Sequence, residues 1–477
     1  MDARHKVGHE GSTGWTLRMN SRLPTRAVAE ELADGIARLE PDRLPPAVRE
    51  KCADLLLDVI GLCVTARQQD YVASAIAGWD DDGPCTVIGH RRTLSSAGAA
   101  FVNGTAAHGE DFDDTFEGGP VHAGAVVVPA VLAACERHHP HGPAALLGIA
   151  VGVEVLCRLS TVIPKAVHKA GFHPTAVFGT MGAAAGVGAA LGLPARGIVD
   201  ALGVAGSMAS GIIEYLAEGT WPKRMHAGWA AQSGVRAALM ARGGFAGPRT
   251  VFEGRHGLYR AFAPTVPPDF APLLDGLGHG WVMPSVAFKP YACGTMTQPF
   301  IDCARRLAGE GIRAADVRDI ECEVAGGTVP RLWEPLASKH RPPTPYAAKF
   351  STPFCMAVGF FDGKAGLAQF TEARIADPAV LALASTIRYT IDPANPYPRK
   401  FTGHLRATLA DGSSREYRQP YMRGGTRDPL LAVELEAKFL DNAIYGGWTA
   451  EAAQGLLRAS RTIFKSPSLD VMKEFRA

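Results

Sequence analysis

From about residue 25 to residue 248, apolar residues recur at the three-and-four spacing of helices rather than alternating. In the stretch 47–66, AVREKCADLLLDVIGLCVTA, Leu55, Leu56, Ile60 and Val64 fall on one helical face. AALLGIAVGVEVLCRLS and GWAAQSGVRAALMARGG repeat the pattern, and the second ends on a glycine pair suited to a helix C-terminus. The stretch 176–195 is long and uncharged enough to raise a membrane span, but its alanines and glycines make it only weakly apolar. It reads as a buried helix packed through small residues. Beyond Lys289 the pattern changes: VRDIECEVAGG and STIRYTIDP are β-rich, and HLRATLADGSSREY alternates Leu405, Ala407 and Leu409 with outward residues before turning at Asp411-Gly412. Helical stretches near 298–307 and 351–361 separate these strands, and PLLAVELEAKFLDNAIYGGWTAEAAQGLLRAS is helical again. The expected fold class is mainly α, a large all-helical domain with an inserted smaller α+β domain. Its boundaries are a flexible N-terminal arm over 1–24, an all-helical domain over 25–285, an α+β domain over 286–424, and C-terminal helices over 425–477 that return to the helical domain.

Composition narrows the function classes. A chain of 477 residues exceeds one hydrophobic core, and 47% hydrophobic with 20% charged residues describes a soluble globular protein. A net charge of +2 supplies no basic face for nucleic acid. The nine cysteines contain no C-x-x-C pair, which gives no grouping for zinc or an iron–sulfur cluster. Their odd number, without an apolar leader, fits reduced thiols in a cytoplasmic protein. No nucleic-acid or membrane partner is expected.

The chemistry concentrates in HGEDFDDTFEGGPVHAG, residues 108–124, where Glu110, Asp111, Asp113, Asp114 and Glu117 stand between two histidines. The stretch opens like a nucleobase deaminase, but P-C-x-x-C is missing, and an EF-hand frame from Asp113 ends on Gly124 instead of Glu. Neither a P-loop nor G-x-S-x-G occurs. Spacing leaves open a metal site on Asp111, Asp113 and His122, hence a metal-dependent hydrolase built on the Asp111–Asp114/His122 loop. Elsewhere His173 (AGFHPTAVFG), Lys223 and His226 (WPKRMHAGWAA) and Lys289 (AFKPYACGTMTQPF) lie in glycine-rich surroundings. Singly, each reads as readily as a helix cap or a solvated charge; together they offer acid/base groups and cations for carboxylates.

The motifs NGTAAHGEDFDDTFEGGPVHAG, GFHPTAVFGTMGAAAG, KRMHAGWAAQSGVRAALMARGGFAGPRTVFEG, KPYACGTMTQPFIDCA and AAKFSTPFCMAVGFFDG, in this order, resemble the MmgE/PrpD family over residues 25–465. That family includes 2-methylcitrate dehydratase, cis-aconitate decarboxylase and iminodisuccinate epimerase. The resemblance implies a helical domain with a lid-like α+β domain, a homodimer, a cleft between domains, and no cofactor or metal. Carried over by position, the D-F-D-D-T motif falls on Asp111 and Thr115, the following histidine on His122, and the loop histidine on His173. The K-x-x-H motif falls on Lys223 and His226, and the lid-side lysine on Lys289. Decarboxylase-like relatives carry a histidine five residues after that lysine, where this chain has Gly294, and another family histidine is Gln298 here. The loop from Thr115 to His122 is one residue longer than in some relatives.

On this reading the chain is a cofactor-independent lyase of a small polycarboxylate, dehydrating a 2-methylcitrate- or citrate-like hydroxy acid. Decarboxylation or epimerisation of a related acid, of the cis-aconitate or iminodisuccinate type, is the alternative. His122 and His173 form the acid/base pair, Asp111 orients a histidine or the substrate, and Thr115, Lys223, His226 and Lys289 bind substrate; Asp113 or Asp114 is an alternative base. The dipole of the helix beginning near Ala125 disfavours a protonated His122 while Asp111 favours it, an opposition that places its titration near neutral pH.

Overall fold

In the computed structural model, residues 26–397 and 399–477 are described, and the arm expected over 1–24 lies outside them. The 47–66 periodicity becomes the Pro46–Ala66 helix, in which Leu55, Leu56, Ile60 and Val64 are all buried. Against it pack the helices Ser96–His108 and Gly124–His138 and, from the far end of the chain, Ala432–Tyr445. The small-residue stretch forms the Pro174–Ala190 helix, which lies on Gly142–Val162 so closely that a Cβ at Gly186 would stand 2.5 Å from the Gly148 carbonyl oxygen. Gly142–Val162 is itself long and apolar enough to cross a membrane, and 94% of its apolar window is buried inside the protein.

A second glycine contact places the chemistry. The helices Ser96–His108 and Pro222–Arg242 touch where a Cβ on Gly228 would lie 2.1 Å from the Phe101 carbonyl oxygen, and one on Gly104 would lie 2.7 Å from Gly228 Cα. Only glycine permits that approach. It sets the acidic loop, which follows His108, beside the first turn carrying Lys223 and His226.

The smaller unit is built on a four-stranded sheet in the order Ile387–Ile391, Val317–Val324, Gly403–Leu409, Ser414–Gln419. The first two strands are parallel, with Ile320 opposite Ile387, and the helical segments between them supply the crossover that parallel pairing requires. The last two form the expected hairpin: Leu405, Ala407 and Leu409 are buried, and Gly412 takes the left-handed φ of +84° in the turn. The helices Gln298–Gly309 and Thr352–Asp362 pack together, the first lying against the hairpin strands. Mainly α with a small sheet unit is therefore the class the chain adopts.

Two strand pairs depart from the helical reading. Asp82–Thr86 pairs with Thr93–Leu94, where the run DDDGPC breaks the helical pattern. Thr115–Phe116 pairs with Val286–Ala287, which ties the end of the acidic loop to the residues leading into Lys289.

Candidate active site

The Ser96–His108 helix is capped by Ser95, whose Oγ accepts the Gly98 N–H at 3.1 Å, and its last residue is His108. Beyond it the chain turns sharply: Asp111 has φ 55°, a left-handed conformation that costs energy in a residue with a side chain and is held only by its surroundings. Three residues on, the Asp114 carboxylate accepts the backbone N–H groups of Ala123, Gly124 and Ala125 at 2.9, 3.1 and 3.3 Å. It thereby caps the Gly124–His138 helix from a distance in sequence.

Around this loop the structure gathers the expected residues. Lys223 forms a buried ion pair with Asp111, whose other carboxylate oxygen accepts from the Tyr346 hydroxyl at 2.7 Å. Lys289 donates to the Asp111 carbonyl at 3.0 Å and stands 3.6 Å from Asp113 Oδ1. His122 Nδ1 lies 2.6 Å from the Asp114 carbonyl oxygen, so Nδ1 carries the hydrogen and Nε2 the lone pair. His173 precedes the Pro174–Ala190 helix, and its Nδ1 is 3.1 Å from His226 Nδ1. Thr115, also buried, continues the loop into its short strand.

The electrostatics correct the expected titration of His122. Burial pushes its imidazole down to about 3, Asp113 opposes the shift, and Lys289 and His108 add to it. Burial outweighs the local dipole, and the nearest acid is Asp113 at 3.4 Å rather than Asp111. Burial, then His108 and His226, also holds His173 well below the ordinary histidine value. His226 falls to about 4, chiefly by burial. Burial would raise Asp111, but Lys223, Lys289 and His108 overcome it and keep that carboxyl well below its usual range. Asp113 is likewise held down against burial, by His122, His108 and Lys289; with His122 neutral near pH 7, Lys289 and the hydrogen bond from His108 remain to hold it down. Asp114 moves oppositely, to about 7, through burial and the neighbouring Asp113.

Several residues differ in placement from the sequence reading. The Asp111 carboxylate binds Lys223 and Tyr346 and has no histidine side chain among its hydrogen-bond partners in the described residues. Both lysines already face protein oxygens, so a bound carboxylate must compete for them. Gly294 donates its N–H to the Lys349 carbonyl at 2.9 Å. Gln298 braces the segment after Lys289, donating to the carbonyls of Tyr291 and Cys293 at 3.2 and 3.3 Å. Other residues join the site from outside the expected set. Lys349 grips Glu110, and the Arg224 guanidinium lies between the rings of Tyr71 and Tyr346, 4.4 and 4.6 Å from their centroids. His108 heads the quoted acidic stretch, and Lys349 lies in the motif AAKF; nothing local marks Tyr346.

Donor atoms of His108, Asp113 and His122 lie within 4.8 Å of one another, the spacing of a metal site. The shortest approaches are from the two imidazole Nδ1 atoms to one oxygen of Asp113, 2.6 Å for His108 and 3.4 Å for His122. A hydrogen bond from the His108 Nδ1–H to Asp113 accounts for the first distance, the His122 Nδ1–H is already donated to the Asp114 carbonyl, and the Lys289 ammonium stands where a second cation would be repelled.

Comparison with known proteins adds to the geometry. The MmgE/PrpD N-terminal domain pattern matches residues 30–271, and the C-terminal domain pattern matches residues 291–459. Cis-aconitate decarboxylase of Homo sapiens is 29% identical over 443 residues, covering 88% of this chain and 88% of that protein. Cis-aconitate decarboxylase of Aspergillus terreus is 26% identical over 415 residues, 81% of this chain and 83% of that protein. Cis-aconitate decarboxylase-like protein oryM of Aspergillus oryzae is 29% identical over 293 residues, 58% of this chain and 61% of that protein.

Proposed function

The chain belongs to the MmgE/PrpD family and is an enzyme of lyase type, and from that premise we propose that it dehydrates a 2-methylcitrate- or citrate-like hydroxy acid without a cofactor. The observation that carries this reading is the state of His122: uncharged, fixed through Nδ1–H, and presenting a lone pair at Nε2 beside two buried lysines. Substrate carboxylates compete with Asp111 and Asp113 for Lys223 and Lys289, and the ammonium groups stabilise the charge that builds on the carboxylate beside the reacting carbon. His122 Nε2 takes the proton from that carbon, and the C–H electron pair becomes the new double bond as the C–O bond breaks. His173 is neutral in the substrate-free protein; the negative charge of a bound polycarboxylate favours its protonated form, which donates to the departing hydroxyl and releases water. The site is closed to solvent on most sides, with Asp113 at 0% side-chain exposure against 14% for His122, and Tyr346 and Lys349 of the smaller unit form part of that closure.

Decarboxylation is the second reading, favoured by the names of the three relatives; Gly294, which leaves no imidazole five residues after Lys289, weighs against it. Proton NMR in deuterium oxide on 2-methylcitrate, citrate, cis-aconitate and iminodisuccinate separates them. Loss of water from either hydroxy acid supports dehydration, and carbon dioxide from cis-aconitate supports the second reading. Deuterium incorporation without conversion indicates epimerisation. No reaction and no exchange with any of the four overturns the proposal.

A further inference from the structure

We propose that His108 contacts the substrate directly: its Nε2 hydrogen-bonds an oxygen of the polycarboxylate while Asp113 fixes the ring from the Nδ1 side. The inference rests on the reading of the site given above. His108 has no exposed side-chain surface, and its Nδ1 lies 2.6 Å from Asp113 Oδ2. Its other nitrogen, Nε2, is also buried and has no hydrogen-bond partner among the described residues. A buried imidazole nitrogen left unpaired is costly, and native interiors keep such atoms only where something else satisfies them.

The surroundings say what that partner is. Ring centroids of His108 and His122 are 4.9 Å apart and those of His108 and His173 are 5.6 Å apart, while His122 and His173 are 6.3 Å apart. His108 is thus closer to each of the imidazoles assigned to proton transfer than they are to one another, and Asp113, which holds it, also faces Lys289. An anion drawn in by the lysines enters this cluster of imidazoles, in which the buried His108 Nε2 has no hydrogen-bond partner among the described residues. With Asp113 accepting from Nδ1–H, the ring in its protonated form offers Nε2–H to a carboxylate or hydroxyl oxygen, and the Asp113 charge balances it.

A merely structural His108 would need only its Nδ1–H, and that is testable by geometry. His108→Asn places an amide N–H where Nδ1–H stands and nothing at Nε2; His108→Gln reaches towards Nε2 and gives up the bond to Asp113. On whichever of the four acids the native enzyme converts, His108→Asn is expected to lose about 10- to 100-fold in kcat/KM, the scale of a hydrogen bond to a charged group, with His108→Gln recovering part. A folded His108→Asn protein within threefold of the native value overturns the proposal. Should His108→Asn fail to fold, the native protein with 15N-labelled histidines is titrated with tricarballylate, an unreactive tricarboxylate, using His108→Gln to assign the resonance. The His108 Nε2 signal is expected to shift on binding. Binding without that shift sinks this inference alone, whereas no binding and no turnover of any acid sinks the proposed function with it.

Discussion

Replacing Asp111 by asparagine leaves Lys223 buried without its counter-charge. Their side chains are only 6% and 9% exposed, so water cannot take over the role of the missing carboxylate. Removing one partner of a buried pair costs about 3–5 kcal/mol, because the surviving charge stays desolvated. An unfolding entropy of about 2.1 cal/mol/K per residue, summed over this chain, amounts to roughly 1 kcal/mol per degree, so the expected fall in Tm is about 3–5 °C. The double variant Asp111→Asn/Lys223→Met, with both charges gone, is expected to recover most of that loss. Function should change with a definite sign. Burial already pulls the Lys223 pKa down, and Asp111 is the largest influence opposing it. Without Asp111 the lysine loses its proton at a lower pH, so activity of Asp111→Asn should be weakest at alkaline pH and recover as the pH falls and the ammonium returns. Thermal melting of the native protein, both single variants and the double variant gives the coupling, and kcat/KM against pH gives the second readout. Stability effects that add to within about 0.5 kcal/mol, as independent sites do, together with an unshifted pH profile, would show that the pair carries neither charge nor structure.

His122→Gln keeps a side chain of similar reach but no base, and is expected to fold normally while losing about two to four orders of magnitude in turnover; near-native turnover would leave His122 as a residue that merely starts a helix. Lys289→Met removes the cation facing Asp113 and the incoming carboxylate; a loss equivalent to about 2–5 kcal/mol in substrate binding is expected, and an unchanged KM and kcat would refute the role. Asp114 has a folded pKa of about 7, above its ordinary value of 3.8, so its proton stabilises the fold fully below about pH 4 and that contribution is lost as the pH rises through 7. The stability difference between Asp114→Asn and the native protein should therefore drift in favour of the variant by roughly 3–4 kcal/mol from pH 4 to pH 8, on top of a constant offset from a disturbed helix cap; a difference that does not change with pH contradicts the assignment.

Features that depend on near neighbours were readable in the sequence. The hairpin through Asp411-Gly412 follows from alternation and one left-handed glycine, and the Pro46–Ala66 helix from a stripe of leucines and isoleucine. Histidines and lysines in glycine-rich settings mark segments that the structure brings together, because the glycines at 104 and 228 let two of the helices concerned approach. What escaped depends on distant partners. Tyr346 reaches Asp111 across 235 residues, and no local pattern distinguishes it from any other tyrosine. The parallel pairing of Val317–Val324 with Ile387–Ile391 and the short ladder at Thr115 are decided by tertiary packing. The titration of His122 is not legible in the sequence, which displays charges and helix starts but not burial, and burial is the largest influence on its proton.

The C-terminal helix Ala432–Tyr445 has a consequence for the order in which the protein is made. Its Lys438 is paired with Asp58 at 2.7 Å and donates at 2.8 Å to the carbonyl of Phe112, 326 residues earlier, with its ammonium 4.0 Å from the Phe112 ring centroid. A nascent chain emerging from the ribosome presents Asp58 and the acidic loop long before Lys438 has been synthesised. Until then buried aspartates would crowd together short of one cation, a state that resists compaction. The loop gains this cation only when the Ala432–Tyr445 helix folds back beneath it. A chain interrupted before Lys438 would then be rich in helix but would leave Asp58 and the acidic loop without that cation.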